Sequence, residues 1–245
     1  MKLKYKFEEK LIEGLIKSRP NRFLMNVEIN KKIILCHCPS TGRVGNIIFE
    51  DIPCLLSKSA NKKRKTPYTV EAISLDPIKK KHKRWIGINQ MKMNNYVKFF
   101  LENNKFSRMI KGKNIQREKK LGNSRIDFLV DKDYLEVKMP LITLPSGNQE
   151  KKANHSKFDS FDRLIKHFTD LSKSIKGDSK GIILLTYVYP ARPFMRPKKD
   201  SSNSKILIAA NKASKKGVEN WQANFKIDAT GVTLIKYFKL TLENK

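Results

Sequence analysis

One stretch constrains this chain more than any other: Ser124-Arg125-Ile126-Asp127-Phe128-Leu129-Val130, a short polar break, then Tyr134-Leu135-Glu136-Val137-Lys138-Met139. Apolar residues recur at alternate positions on both sides of the break, as in two antiparallel strands that each bury one face. With Lys132-Asp133 as a two-residue turn, Val130 pairs with Leu135, Phe128 with Val137 and Ile126 with Met139. Six apolar side chains then share one face. The same register sets Asp127 across from Lys138, with Glu136 two residues before it, on the other face. A one-residue slip would split the apolar set. Packing one face therefore assembles two carboxylates and an amine on the other.

An Asp followed on the next strand by Glu-x-Lys is the spacing of the PD-(D/E)xK nuclease core. Two carboxylates can hold Mg²⁺ or Mn²⁺, which keeps waters and a substrate phosphate as further ligands. The ion polarises a phosphodiester and acidifies a bound water, and a nearby Lys orients that water or stabilises developing charge. The same trio also suits a plain hairpin with a cross-strand Glu–Lys pair. The order of the surrounding elements favours the site. Met93, Val97, Phe100 and Leu101 mark a helix over about 89–104, and the basic stretch to Lys120 holds a strand. After the strand pair, Phe161, Leu164, Ile165, Phe168, Leu171 and Ile175 form one helix face, with Gly177 as its C-cap. A buried strand over 182–189 follows, so 89–189 reads α-β-β-β-α-β. A Pro-rich connection, a helix over 205–216 stopped by Gly217, and a hairpin around Gly231 complete the chain. Asp162, Arg163, Lys166 and His167 lie off the apolar helix face, and Glu102 and Glu118 are candidate further acidic ligands.

Residues 1–85 read as all-β. Phe23, Met25, Val27 and Ile29 alternate with their neighbours, Asn30-Lys31-Lys32 supplies a turn, and 33–38 a second apolar run. Pro39-Ser40-Thr41-Gly42 and Gly45 break that pattern, and 68–75 is another β-rich stretch. Short strands and basic loops within this length suggest a small OB-like barrel, whose exposed face and loops bind oligonucleotides. Ser40-Thr41-Gly42 lacks the frame of a phosphate loop.

Charge selects the partner. Fifty-two Lys and Arg against 23 Asp and Glu leave +29 on 245 residues, with a pI near 10.0. The excess is +12 over residues 1–85 and +17 over the remainder, so it is not one detachable arm. It concentrates in Lys62-Lys63-Arg64-Lys65, in Lys79-Lys80-Lys81-His82-Lys83-Arg84, and over 105–120. Such runs point to nucleic acid. At 39% hydrophobic the chain still has a core, which excludes a disordered basic tail. No apolar run reaches the roughly 20 residues a membrane span requires. Three cysteines form no disulfide framework, the first residues carry no apolar signal, and a reducing cytoplasm is expected. Cys36-His37-Cys38 suggests zinc, but with no second ligand pair at suitable spacing, buried thiols at a strand end are the better reading.

The chain resembles the sugar fermentation stimulation protein A (SfsA) family over nearly its whole length. The resemblance rests on Asn21-Arg22-Phe23-Leu24, His37-Cys38-Pro39-Ser40-Thr41-Gly42-Arg43, Asn61-Lys62-Lys63-Arg64-Lys65-Thr66-Pro67-Tyr68-Thr69, Trp85-Ile86-Gly87-Ile88-Asn89, Ser124-Arg125-Ile126-Asp127-Phe128, Glu136-Val137-Lys138 and Arg163-x-x-Lys166-His167. It implies an α+β two-domain protein: an N-terminal OB-like β-barrel over 1–85, followed by a PD-(D/E)xK nuclease-like α/β domain over 86–245. It further implies DNA binding of low sequence specificity and a link to regulation of sugar metabolism. By the resemblance, Asp127 and Glu136 are the metal positions and Lys138 completes the catalytic set. Arg22, Lys62, Lys63, Arg64, Lys65, Lys80, Lys83, Arg84, Arg125, Arg163, Lys166 and His167 are the expected nucleic-acid contacts. RNA is a weaker candidate partner through the barrel. Met139 stands where the family usually has Asn, and Leu164 where it usually has Gly.

Overall fold

Period-two burial builds the first sheet. The computed structural model describes residues 2–40, 42–45, 47–122, 124–141, 144, 162–195 and 204–241. Its first strands are β1 (Lys4–Lys6), β2 (Ile12–Asn21), β3 (Leu24–Ile29), β4 (Lys32–His37), β5 (Ile52–Lys58), β6 (Tyr68–Ile73) and β7 (Ile86–Gly87). Met25, Val27 and Ile29 point inward from β3. Asn30 and Lys31, at φ 50° and 64°, make the primed turn that matches strand twist. β2 shifts register near Ser18, and such bulges curl a strand enough to close a small barrel. Sheet order β4-β3-β2-β5-β6 returns on itself where His37 of β4 pairs with Thr69 of β6. The expected OB-like barrel is present.

β1 is not part of it. Tyr5 pairs with Val232 and Lys6 with Gly231, in the last strand of the chain. A Cβ on Gly231 would sit 2.1 Å from the Tyr5 carbonyl oxygen, so this docking requires a glycine. The two sheets therefore do not divide cleanly between residues 85 and 86.

After a 3-10 turn at Gln90–Lys92 come α1 (Met93–Glu102), β8 (Ile115–Leu121), β9 (Ser124–Val130), β10 (Asp133–Lys138), α2 (Asp162–Ser174), β11 (Gly181–Tyr187), α3 (Ser204–Lys215), β12 (Val218–Asp228) and β13 (Gly231–Lys239). The α-β-β-β-α-β order is as read from sequence. Their sheet runs β1-β13-β12-β11-β10-β9-β8. β11 pairs in parallel with β10 and β12, the arrangement that needs crossovers such as those carrying α2 and α3. Phe168 and Leu171 of α2, with Ala210 and Ala213 of α3, cover one face over Leu121, Ile126 and Ile183. The opposite face shares one continuous core with α1 and the barrel. Gly87 joins the two: its N–H donates to the Val188 carbonyl at 3.0 Å, and a Cβ there would meet Val188 Cγ1 at 2.5 Å.

The register of β9 and β10 differs from expectation by two residues. Val130 faces Asp133 and Phe128 faces Leu135. The turn is Asp131-Lys132, because Asp131 takes φ 51° and its carboxylate accepts from Asn114 N–H at 2.9 Å. A two-residue shift preserves facing, so the apolar residues stay buried. They are not all on one side, however: Phe128, Val130, Leu135, Val137 and Met139 join the large core, whereas Ile126 packs under α2. Phe161, Thr41, Pro145 and Gly147 lie outside the described residues. No described helix is long and apolar enough to cross a membrane.

Candidate functional site

Past Phe128 and Leu135 the ladder between β9 and β10 gives way to side chains, and the strands fork. Val137 N–H donates to Asp127 Oδ2 at 2.8 Å, while Asp127 N–H lies 3.4 Å from Glu136 Oε2. Continued by one residue, the observed register sets Asp127 opposite Glu136 rather than Lys138. The structure thus brings the carboxylates closer together than the sequence reading did. Lys138 and His167 both bond to Glu136 Oε1, and Lys138 Nζ is 3.3 Å from His167 Nδ1. Asp127, Glu136, Lys138 and His167 form one cluster.

Their electrostatics are unequal. Burial pushes the Asp127 carboxyl up, and the Glu136 charge adds to it; bonds from Val137 N–H and Asn94 only partly compensate. Burial also pushes Glu136 up, but His167 and Lys138 outweigh it and hold its carboxyl below the usual range. A half-buried and a buried carboxylate, the first pushed up by burial and then by its neighbour, suit a hard divalent cation, which would relieve the repulsion between them. Asp127 and Glu136 are the residues that could hold it. Among the described residues no group of three His, Cys, Asp or Glu side chains is gathered for a metal. Glu102 instead pairs with Lys98, and Glu118 is exposed.

Sequence reasoning missed the contribution of α1. Asn94 donates from Nδ2 to Asp127 Oδ1 at 2.7 Å, and Gln90 Nε2 donates to the Met139 carbonyl at 2.8 Å. An Asn on the polar side of a helix carries no signal that it faces a strand more than 30 residues away; only its proximity in space reveals it.

The expected nucleic-acid contacts divide into two sets. Lys62, Lys63 and Lys65 are exposed between β5 and β6; Arg64 is half-buried and donates to Thr69 Oγ1 at 3.2 Å. Arg22 is exposed, its guanidinium 4.9 Å from the centre of the Phe23 ring. Arg125, exposed on β9, stands directly opposite exposed Lys120 on β8. Lys166 is exposed on α2, one residue before buried His167. The Arg163 side chain lies outside the described residues. By contrast, Lys80 and Arg84 bond to Asp76, and Lys83 is buried against Glu13 at 2.6 Å. Those three are paired with carboxylates of the protein itself, although Lys80 and Arg84 stay exposed to solvent; Lys79 and Lys81 of the same loop are exposed as well. Cys36, Cys38 and Cys54 are buried in the barrel, and burial pushes the Cys36 thiol up to about 11. His37 alternates to the other side of its strand, so Cys36-His37-Cys38 does not converge on one point.

Fold and site together define the class: an OB-like barrel joined to a mixed-sheet α/β domain with a carboxylate pair at a strand fork. Family models for the SfsA N-terminal OB domain and the sugar fermentation stimulation protein RE domain match residues 18–88 and 91–231. The chain belongs to the sugar fermentation stimulation protein family. A homolog from Clostridium perfringens (strain 13 / Type A) is 30% identical over 243 residues, covering 97% of this chain and 100% of that one. One from Clostridium novyi (strain NT) is 34% identical over 208 residues, covering 82% and 84%. Among solved structures, Pyrococcus furiosus SfsA in complex with Ca²⁺ matches all of both chains with a TM-score of 0.76 at 20% identity, which establishes a shared fold.

Proposed function

We propose that this protein binds DNA along its phosphate backbone with little reading of sequence, and that the strand fork is a divalent-metal site for phosphodiester cleavage. The observation that carries the reading is the pair Lys120 and Arg125. Like charges directly opposite on neighbouring strands are unfavourable until an anion bridges them. Arg125 stands two residues before Asp127 on the same strand, so a backbone phosphate held by the pair would be close in sequence to the fork. The exposed Lys62, Lys63 and Lys65 extend the same field onto the barrel. The sequence offers no helix-turn-helix recognition element, and phosphate contacts position without specifying sequence.

The second half of the reading is favoured by the raised Asp127 carboxyl beside Glu136 and by the Ca²⁺ complex of the similar structure. Mg²⁺ or Mn²⁺, held by Asp127 and Glu136, would supply Lewis-acid polarisation of the phosphate and an acidified water. The chain's own groups do the rest. His167 and Lys138 fix Glu136 Oε1, so its other oxygen is turned toward Asp127. Lys138, partly exposed, can donate to a phosphate oxygen or to the attacking water. The relatives' name ties them to sugar fermentation, and we extend that link to this chain, with a cytoplasmic location as part of the proposal.

One set of measurements tests both halves. DNA affinity is expected to fall steeply with salt and to vary little with sequence, and RNA to compete less well than DNA. Strong operator-like discrimination at physiological salt would defeat the binding reading. Cleavage of single- and double-stranded DNA is expected only with Mg²⁺ or Mn²⁺ and to be lost in Asp127→Ala and Glu136→Ala. Equal cleavage by wild type and variants, or none with metal, would remove the nuclease half and leave the binding half standing.

A further inference from the structure

Glu71 is a fully buried carboxylate on β6, inside an otherwise apolar stretch of the barrel. A buried charge persists only with bonded partners. Ser57 Oγ is one, from the neighbouring strand; the other two come from the segment that leads out of the barrel. Asn89 Nδ2 donates to Oε2 at 2.8 Å and Lys92 Nζ to Oε1 at 2.7 Å. Asn89 Oδ1 also caps the 3-10 turn by accepting from Lys92 N–H at 3.3 Å. Within the same few residues this segment grips the strand fork twice, through Gln90 to the Met139 carbonyl and Asn94 to Asp127 Oδ1. One turn further along α1, the Tyr96 hydroxyl is buried without a hydrogen-bond partner. Satisfying every polar group on α1 is thus not what sets its position.

We propose that Glu71 is a positioning residue for Asp127. Through Asn89 and Lys92 it fixes the start of α1, and α1 then holds the Asn94 amide against Asp127 Oδ1. This segment is one of several links between the barrel and the second sheet, and the one whose side chains reach both Glu71 and Asp127. The proposal rests on the reading that Asp127 and Glu136 hold a divalent ion, but its core can be tested without one.

The test uses the full chain carrying Glu71→Gln with Lys92→Met, which removes one negative and one positive charge and leaves the local net charge unchanged. In a ¹H–¹⁵N spectrum of metal-free protein, the Asn94 side-chain amide signal is expected to move toward its position in Asp127→Ala. Mn²⁺ affinity by calorimetry is expected to fall about tenfold, the usual effect of losing an outer partner of a metal ligand. Lys92→Arg alone, which keeps the ion pair with Glu71, is expected to leave both at their wild-type values. Lys92→Met alone separates position from charge, because removing a cation would by itself tighten Mn²⁺ binding, whereas loss of positioning weakens it. Melting curves establish that each variant is folded; should the double variant not fold, Asn89→Ala leaves the ion pair intact and is expected to move the same signal. A folded variant whose Asn94 signal and Mn²⁺ affinity match wild type overturns the proposal. If wild type itself binds no Mn²⁺, the metal reading of the fork fails separately, and the Asn94 signal still decides the role of Glu71.

Discussion

Asp127 is half-buried beside a second carboxylate, and its neighbour nine residues on is in the opposite electrostatic situation. Asp127 titrates above its ordinary value of 3.8, so its contribution to stability is fully present below that value and lost as pH rises through the folded-state pKa. Ionised Asp127 works against the fold. Glu136 titrates below its ordinary 4.5, so its contribution is present above that value and lost only as pH falls through the lower folded-state pKa. Ionised Glu136 supports the fold. The two amide substitutions should therefore differ in sign at pH 7 without divalent metal. Asp127→Asn keeps one oxygen for Val137 N–H, and a flip of the Asn94 amide lets Asn94 accept from the new NH₂. It is expected to raise Tm by a few degrees, as removal of functional strain often does. Glu136→Gln deprives Lys138 and His167 of their anion and is expected to lower Tm. Thermal unfolding in chelator checks both, and shifts of the same sign would show that this account of the fork is wrong.

Among the elements, the basic loop between β6 and β7 shows how a run of cations divides between structure and binding. The Asp76 side chain is buried and accepts from Arg84 N–H at 2.7 Å, Nε at 3.1 Å and Nη2 at 2.7 Å. The Arg84 bonds hold its carboxyl well below the usual range. Lys80 reaches the same carboxylate at 3.0 Å, and Lys83 closes onto Glu13 of β2. These three cations shape the loop; Lys79 and Lys81 face solvent from it. Lys79→Ala and Lys81→Ala should each reduce the slope of log affinity against log salt by about 1. Lys83→Ala should leave that slope nearly unchanged and lower stability, because it strands Glu13 and opens a packed contact. A salt titration of the three variants distinguishes them, and equal slopes for Lys79→Ala and Lys83→Ala would refute the division.

Across the whole molecule, the chain's first strand completes its last sheet. Tyr5 packs edge-on against Tyr96 at 5.0 Å and Phe99 at 5.5 Å, covering α1, while its backbone pairs with β13. A fragment of residues 86–245 lacks that strand, the aromatic cover and the Glu71 anchor of Lys92. It leaves the edge of β13 unpaired, which invites association. Such a fragment is expected to show no cooperative thermal transition and to bind ANS, as loosely packed states do. A cooperative transition at the full chain's Tm would show instead that the second sheet is self-sufficient.

Much of this was legible residue by residue. Alternation at Met25, Val27 and Ile29 and again at Phe128 and Val130 identified strands and their buried sides, and the helical spacing of Phe168 and Leu171 identified α2. The Asp127, Glu136 and Lys138 constellation was visible because strand periodicity carries functional residues along with apolar ones. Register was not, since a shift of two residues leaves every side chain on the same face and changes only its partner; the conformation of Asp131 and its bond to Asn114 decided it. Local pattern was equally silent on which lysines of the 79–84 run are occupied internally, and on Asn94 and Glu71. By itself the sequence determined the kinds of element, their order and the sign of the charge, all set by neighbours along the chain. The tertiary structure alone decided that Asp127 faces Glu136 at a fork, that α1 ties the fork to the barrel, and that β1 belongs to the far sheet. Those are contacts between distant segments, where only proximity in space sets which donor meets which acceptor.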